Sequence, residues 1–191
     1  MICEEDTRQV NDKLVQSLIV AGEYQKALEP LVITYQDSIL QFCTGMLGDR
    51  CDGRDVAQEV FLAAYTAFPR FQQQSSVRTW LFAIARHQCY KALRNQTRQR
   101  LQPREEIHIA RIMHPDPAPI PGEVSHNDLL DYALECLSTL PDEERAIVLM
   151  RCKHGLSHSE VAEVLQVSKS TVERRWKGAL QSLEEHINAM G

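Results

Sequence analysis

Apolar residues recur at intervals of three and four along most of the chain, which is the spacing of one face of an α-helix. Neither half of the sequence contains the short segments rich in Val, Ile and Thr, bounded by turns, that are typical of strands. The pattern therefore predicts an all-α protein. We expect helices near residues 11–20, 24–46, 53–68, 77–97, 127–139, 142–153, 158–165 and 169–187.

Prolines divide this helical pattern into two parts. Five of the eight prolines lie between Pro103 and Pro121, where fixed φ angles and missing amide donors prevent a continuous helix. We predict two small helical domains, each with its own modest core, joined by a Pro-rich linker that lets them sample a range of separations. The expected parts are an N-terminal extension or short helix at 1–22, a first domain at 23–100, the linker at 101–126 and a second domain at 127–191.

Composition narrows the class of protein. The 191 residues are 43% hydrophobic, as in folded globular proteins, and no apolar run approaches the roughly 18–20 residues that cross a bilayer. The N-terminus is acidic where a secretory signal is basic, so we expect a cytoplasmic protein without membrane insertion. The six cysteines are scattered without metal-ligand spacing and indicate reduced thiols. We expect no metal site, no cofactor and no catalytic residue.

Charge is distributed unevenly along the chain. The formal net charge is −5, yet the 45 residues between Glu59 and Glu105 hold no carboxylate and eight basic side chains. Acidic residues concentrate on either side of this stretch. Such a cationic band is the electrostatic signature of a protein that binds a polyanion.

The C-terminal part contains a helix-turn-helix pattern. Ser157 and Glu160 form an S-x-x-E capping box, and Ser168 is a good N-cap for a second helix. An ordinary helical hairpin with a cationic surface is the alternative, but capping, spacing and charge together favour DNA binding. Glu173 either accepts a hydrogen bond from a cytosine or pairs with Lys177. The candidate DNA-binding residues are Ser168, Lys169, Ser170, Thr171, Glu173, Arg174, Arg175 and Lys177.

The helix near 53–68 has two contrasting faces. Its apolar stripe, which includes Val56 and Val60, predicts a core contact. The other face carries Asp55, Gln58, Glu59 and Leu62, a polar patch with one aliphatic residue that suits a protein interface. From spacing alone, a solvated face is the more common explanation.

The next segment interleaves aromatic rings with arginines and a polar QQQSS loop. Rings beside cations suit single-stranded nucleic acid, since bases stack on the rings and guanidinium groups follow the phosphates. At helical spacing Leu81, Ile84 and Ala85 predict core positions, and Trp80 can belong to either group. We therefore assign base contact mainly to the loop and to the polar side of the helix; composition alone leaves the two explanations nearly even.

Three segments together resemble the extracytoplasmic-function (ECF) sigma factors of bacterial RNA polymerase. Two are similar to sigma region 2, namely GDRCDGRDVAQEVFLAAYTAFPRF and SSVRTWLFAIARHQCYKALR, and one is similar to region 4, namely LSTLPDEERAIVLMRCKHGLSHSEVAEVLQVSKSTVERRWKGAL. Their order and the short linker fit the two-domain group. The chain also resembles the members that govern cobalt and nickel resistance, although no single residue supports this narrower likeness.

The resemblance implies a sigma factor that recognises the −35 and −10 promoter elements and helps to open the −10 region, with the helix from Ser168 reading the −35 element. The implied polymerase-binding residues are Asp55, Gln58, Glu59, Phe61 and Leu62. The implied −10 residues are Phe71, Gln72, Gln73, Gln74, Ser75, Ser76, Arg78, Trp80, Arg86, Lys91 and Arg94. The sequence departs from the family pattern at His87, Lys91, Gln166 and Gly178, which leaves the promoter sequence and some phosphate contacts in doubt.

The partners implied by the resemblance are core RNA polymerase, through its β′ clamp helices and β flap, promoter DNA, and an anti-sigma factor that is often membrane-anchored. One rival is a dimeric helix-turn-helix regulator without a sigma role, which leaves the aromatic and basic band unexplained. A second rival is an enzyme with a Cys–His nucleophile. The sequence contains no nucleophile motif or Gly-rich phosphate loop to support it.

Overall fold

A computed structural model describes residues 4–101 and 126–190, and every regular element in these two stretches is helical. A 3₁₀ turn at Phe68–Arg70 follows α3, and a π-helical segment at Leu149–Lys153 continues α6. The all-α prediction is confirmed. The helices are α1 Glu4–Val20, α2 Tyr24–Leu47, α3 Arg50–Ala67, α4 Val77–Leu101, α5 His126–Ser138, α6 Asp142–Val148, α7 His158–Leu165 and α8 Lys169–Met190.

The N-terminal segment forms a full helix rather than a loose extension. Val15 and Ile19 of α1 are buried. The Asn11 amide donates to Thr34 Oγ1 at 2.9 Å, and the hydroxyl of Tyr35 donates to Asp12 at 2.6 Å. These contacts join α1 to α2, so of the two possibilities that the sequence left open, the packed helix is the one observed. It begins earlier than the pattern suggested.

Local rules account for the helix ends. The Asp49 carboxylate caps α3 by accepting from the Asp52 amide at 2.9 Å. The predicted capping box at the start of α7 is present, because Ser157 and Glu160 each accept from the backbone amide of the other. Gln166 ends α7 in the left-handed conformation with φ 56°, at the position where the sequence departed from the family's usual glycine.

The two helical domains share one large buried cluster, and the second domain adds a smaller one of Leu140, Val148 and Ala179. One continuous buried cluster includes Phe42 and Phe82 from the first part of the chain and Leu149, Met150 and Val164 from the second. The prediction of independent cores is therefore wrong in this structure. Helices α5–α8 lie within residues 126–190, and a unit of that size is only marginally stable on a core of its own. The predicted linker, apart from its first and last residue, lies outside the described residues.

Candidate polymerase and promoter interfaces

Helix α3 presents a polar surface on the side opposite its core stripe. Val56, Val60 and Ala64 are buried against α2 and α4. Close packing on α2 requires Gly53, since a Cβ there would lie 2.5 Å from Thr44 Oγ1. The exposed side includes Asp55, Gln58, Glu59 and Leu62, which we call the α3 patch.

Leu62 gives this patch an apolar centre. Its side chain is 68% exposed. Phe61, which the family motif also includes, is half-buried and packs against the core. Phe61 therefore supports the patch from beneath, while Leu62 and the polar residues form its outer surface.

Helix α4 is tied to α3 by polar contacts. The Gln96 amide donates to Asp52 Oδ2 at 2.8 Å. Lys91 Nζ lies 3.8 Å from Glu59 Oε2, and both side chains are more than half exposed. An exposed pair of this kind contributes little to stability. Lys91, predicted to contact the −10 element, is thus positioned beside the α3 patch and remains accessible.

The loop before α4 is polar and open to solvent. Gln72, Gln73, Gln74 and Ser76 are exposed and Ser75 is half-buried. Gln73 has a φ of 56°, and the Gln74 amide donates to Gln72 Oε1 at 2.9 Å. Ser76 has a structural task, because its hydroxyl oxygen accepts from the Thr79 amide at 3.0 Å at the start of α4.

An aromatic group lies beneath this loop. The ring of Trp80 lies 5.0 Å from that of Phe71 and 5.9 Å from that of Phe68, centroid to centroid. Phe68 is buried, whereas Phe71 and Trp80 are half-buried. Trp80 therefore lies at the boundary between the core and the surface. Both half-buried rings are close enough to the surface to receive a base.

The cationic side of α4 is divided between solvent and protein. Arg94 is exposed and Arg78 is half-buried. Arg86 instead points into the second domain, where its Nη1 donates to the carbonyl oxygen of Val164 at 2.8 Å. Its guanidinium also lies 5.2 Å from the centroid of the Tyr90 ring. Burial raises the pKa of Tyr90 to about 12, so that phenol stays neutral beside the cation.

Helix α8 follows the turn of the helix-turn-helix. The hydroxyl of Ser168 accepts from the Thr171 amide at 3.2 Å, as the sequence predicted for an N-cap. Lys169, Ser170, Arg174 and Lys177 are exposed on this helix. Their side chains form an accessible cationic surface at its first turns, where a major-groove reader contacts bases and phosphates.

Two charged residues of α8 contact protein groups. Glu173 lies 3.8 Å from Lys169, where the sequence suggested Lys177 as its partner. Arg175 is half-buried and forms an ion pair with Glu143 of α6. Arg174 and Arg175 are neighbours in the sequence, but only Arg174 extends into solvent without such a pairing to a neighbouring helix.

Two contacts between the domains could not be predicted from any sequence motif. Arg145 Nη1 donates to the carbonyl oxygen of Met46 at 2.7 Å, and the same guanidinium donates to Leu137 and Leu140 carbonyls of its own domain. At Gly45 the side chain of Leu149 approaches so closely that a Cβ would lie 2.6 Å from Leu149 Cδ2. A glycine within a helical pattern was the available signal for the second contact.

The cysteines and histidines lie in unrelated surroundings. Hydrogen bonding to Cys43 and burial raise the pKa of the Cys89 thiol, which disfavours its thiolate. The ring of His154 packs against Phe42 and Phe82, while that of His158 faces Trp176. Within residues 4–101 and 126–190, no group of three His, Cys, Asp or Glu side chains could hold a metal ion. No helix in that part of the chain has the length and apolar character to cross a membrane.

Comparison with known proteins matches a different family to each domain. The Sigma-70 region 2 family covers residues 31–99, and the Sigma-70 region 4 family covers residues 130–183. The structure resembles that of CnrH in complex with the cytosolic domain of CnrY, with a TM-score of 0.71, 23% identity and coverage of 95% of this chain and 99% of the other. It also resembles RpoE bound to the anti-sigma factor NepR from Bartonella quintana, with a TM-score of 0.66, 18% identity and coverage of 85% and 98%.

Two curated relatives can be aligned with this chain over most of their length. The ECF sigma factor SigX of Bacillus subtilis (strain 168) is 27% identical over 169 residues, which is 87% of this chain and 86% of that protein. SigD of Mycobacterium tuberculosis (strain ATCC 25618 / H37Rv) is 30% identical over 177 residues, which is 90% of this chain and 82% of that protein. Because both Sigma-70 region families match this chain and an ECF sigma factor is 30% identical to it over 90% of its length, the chain belongs to the ECF RNA polymerase sigma factors.

Proposed function

We propose that this ECF sigma factor docks on the β′ clamp helices of core RNA polymerase through the α3 patch. The observation that carries the proposal is the exposure of Asp55, Gln58, Glu59 and Leu62 together on a helix whose opposite face is fully packed. A rigid helix that presents a few polar side chains around an aliphatic centre suits a specific protein contact. The second domain contacts the β flap.

The −10 element is read by the loop 72–76 and by the surface of α4. The half-buried rings of Phe71 and Trp80 supply stacking surfaces for an unpaired base, and the glutamines around them supply hydrogen bonds. Arg78, Lys91 and Arg94 follow the backbone of the opened strand. Arg86 joins them once it leaves the Val164 carbonyl.

The −35 element is read as duplex by α8. Lys169, Ser170 and Arg174 are exposed near its start, where they can reach base edges and phosphates of the major groove. Ser168 fixes the helix start, while Thr171 and Lys177 extend the same surface. Glu173 selects cytosine when it leaves Lys169, and Arg175 contributes through the position it gives to α8 as well as through phosphate contact.

Regulation follows from a third partner. The CnrH structure contains the cytosolic domain of CnrY and the RpoE structure contains the anti-sigma factor NepR. We propose that an anti-sigma factor, membrane-anchored or free, silences this protein in the cytoplasm. The sigma factor itself acts by binding and carries out no covalent chemistry.

Reconstitution tests the function directly. The purified chain is combined with core RNA polymerase and run-off transcription is measured on a genomic fragment library. We expect new transcripts that depend on the chain and share a −35 and a −10 sequence. A chain that shifts promoter duplex but neither co-purifies with core polymerase nor supports transcription would instead be a helix-turn-helix regulator.

A further inference from the structure

A cavity of about 710 Å³ lies between α2, α3, α5 and the π-helical segment. None of the described residues that line it belongs to the α3 patch or to the surfaces proposed for promoter DNA. Cavities of roughly 300–1,000 Å³ with mainly apolar walls and a few polar groups are the usual form of a small-molecule site. The cavity is therefore a candidate ligand site apart from the proposed polymerase and promoter contacts.

The wall of the cavity is aliphatic. Leu40, Leu134 and Leu137 are half-buried, so part of their apolar surface faces the cavity, and the more deeply buried Val148 and Leu149 also line it. No aromatic side chain is among the described residues of the wall, which therefore offers no stacking surface to a nucleobase. Hydrocarbon leaves water for such a wall favourably, by up to about fourfold in affinity per methylene.

Three cations lie at the mouth of the same cavity. Arg50, Arg54 and Lys153 line it and are exposed. Arg50 and Arg54 are four residues apart on α3 and so share one face of that helix. Within residues 4–101 and 126–190, no carboxylate forms an ion pair with any of the three or lines the cavity. The forked guanidinium groups match the two oxygens of a carboxylate, so the mouth favours an anion.

The combination of an aliphatic wall and a cationic mouth fits an anionic amphiphile. We propose that the cavity binds a long-chain fatty acid, with its carboxylate between Arg50 and Arg54 and its chain along Leu40, Leu134 and Leu137. A carboxylate carries a single charge and is therefore less costly to bring beside an apolar wall than a phosphate dianion. The binding site is independent of the proposed sigma function.

Two exposed thiols allow occupancy to be measured on the full-length chain. Cys152 lines the cavity, whereas Cys51 is exposed on α3 and is not among the described residues of the wall. The chain is treated with N-ethylmaleimide at increasing concentrations of dodecanoate, all below micelle formation, and mass spectrometry follows each cysteine. We expect dodecanoate to slow alkylation of Cys152 in a saturable way and to leave the rate at Cys51 unchanged.

A series of ligands separates the contribution of the chain from that of the head group. Protection of Cys152 should strengthen from octanoate through decanoate to dodecanoate, by up to about fourfold for each added methylene. Dodecanol, which has the same chain and a neutral head, should bind at least about fivefold more weakly than dodecanoate. Dodecyltrimethylammonium should not protect Cys152, because its head is repelled by the three cations.

Variants with matched controls test the two parts of the site. Ala133 is exposed and lines the cavity, so Ala133→Trp should fill it and abolish protection, while Ala189→Trp on exposed α8 should not. The double variant Arg50→Gln, Arg54→Gln should weaken dodecanoate binding about fivefold at low salt and less at high salt. Arg70→Gln removes an exposed arginine outside the cavity and should have no effect. Circular dichroism checks that each variant keeps its helices.

The outcomes distinguish a specific site from surface adsorption. Unchanged alkylation of Cys152 with dodecanoate, or protection that persists in Ala133→Trp, would overturn the proposal. Equal protection of Cys51 would show detergent-like coating of the surface and would overturn it as well. An acidic amphipathic peptide that protects Cys152 where dodecanoate does not would assign the cavity to a protein partner instead. Run-off transcription without fatty acid tests the sigma role separately, so either proposal can fail without the other.

Discussion

Two turns with the same backbone φ angle lie in the two proposed DNA-reading elements, and they are held in different ways. Gln166 and Gln73 both have a φ of 56°. Gln166 ends α7, where its amide bonds to Glu163 and the next amide bonds to Ala162. Gln73 lies in an exposed loop, between Gln72 and Gln74, whose side chains are hydrogen-bonded to each other. The proposed duplex reader is thus preorganised, whereas the loop proposed to receive an unpaired base keeps freedom to rearrange.

The largest expected effect is a loss of binding to core polymerase, on which both proposed DNA-reading elements depend. The combined variant Asp55→Ala, Gln58→Ala, Glu59→Lys changes exposed side chains of α3 and leaves its core stripe intact. We expect affinity for core polymerase to fall at least about a hundredfold, as for a cluster of interface hot spots. Fluorescence titration against core enzyme measures it. Exposed Glu29→Lys in α2 is the charge control, and unchanged core affinity in the triple variant would contradict the α3 patch.

The next largest effect concerns promoter opening, which we expect to depend on the loop at 72–76 and not on the turn at Gln166. Replacing 72–75 by Gly and Ser residues, with Ser76 kept as the cap of α4, should remove the base-receiving loop and preserve the helix. The variant removes the glutamine hydrogen bonds to the base and keeps the rings of Phe71 and Trp80. Because each lost hydrogen bond is worth about 0.5–1.5 kcal/mol, we expect opening to fall roughly tenfold. Permanganate footprinting measures opening, and filter binding measures the closed complex. Normal opening with the replaced loop would mean that another segment receives the base.

The sequence predicted the local helix caps of this molecule, but not the hydrogen bonds between its two domains. The Ser157 capping box and the Ser168 cap involve residues three apart, so short-range rules identified both correctly. The hydrogen bonds from Arg86 to Val164 and from Arg145 to Met46 join residues 78 and 99 positions apart. No local pattern specifies such a pair, because it depends on how the two domains meet. The same reason explains why separate cores were expected and one continuous core was found.

A smaller effect distinguishes two adjacent arginines of α8. Arg174 is exposed, whereas Arg175 is paired with Glu143. We expect Arg174→Ala to weaken binding to a −35 duplex several-fold at moderate salt and to lower the slope of log K against log salt by about one, since one phosphate contact is lost. Arg175→Ala should lower the melting temperature as well, because it also loses the contact with α6. An identical salt slope for wild type and Arg174→Ala would exclude a phosphate contact at that position.

The smallest effect returns to the two glutamines with positive φ. A left-handed conformation costs an L-residue about 1–2 kcal/mol relative to glycine, while glycine gains unfolded-state entropy worth about 0.4–1 kcal/mol. At Gln166 the turn is fixed by two backbone hydrogen bonds, so Gln166→Gly should relieve the strain and stabilise the protein by about 0.5 kcal/mol, or about 1–2 °C in melting temperature. At Gln73 the loop can relax, so the backbone strain is smaller and the entropic cost of glycine should dominate. Gln73→Gly should therefore leave the melting temperature unchanged or lower it slightly.

Thermal unfolding followed by circular dichroism measures both variants side by side. Equal increases would show that the loop is held as firmly as the helix-turn-helix turn, and the proposed freedom of the −10 loop would then have to be given up.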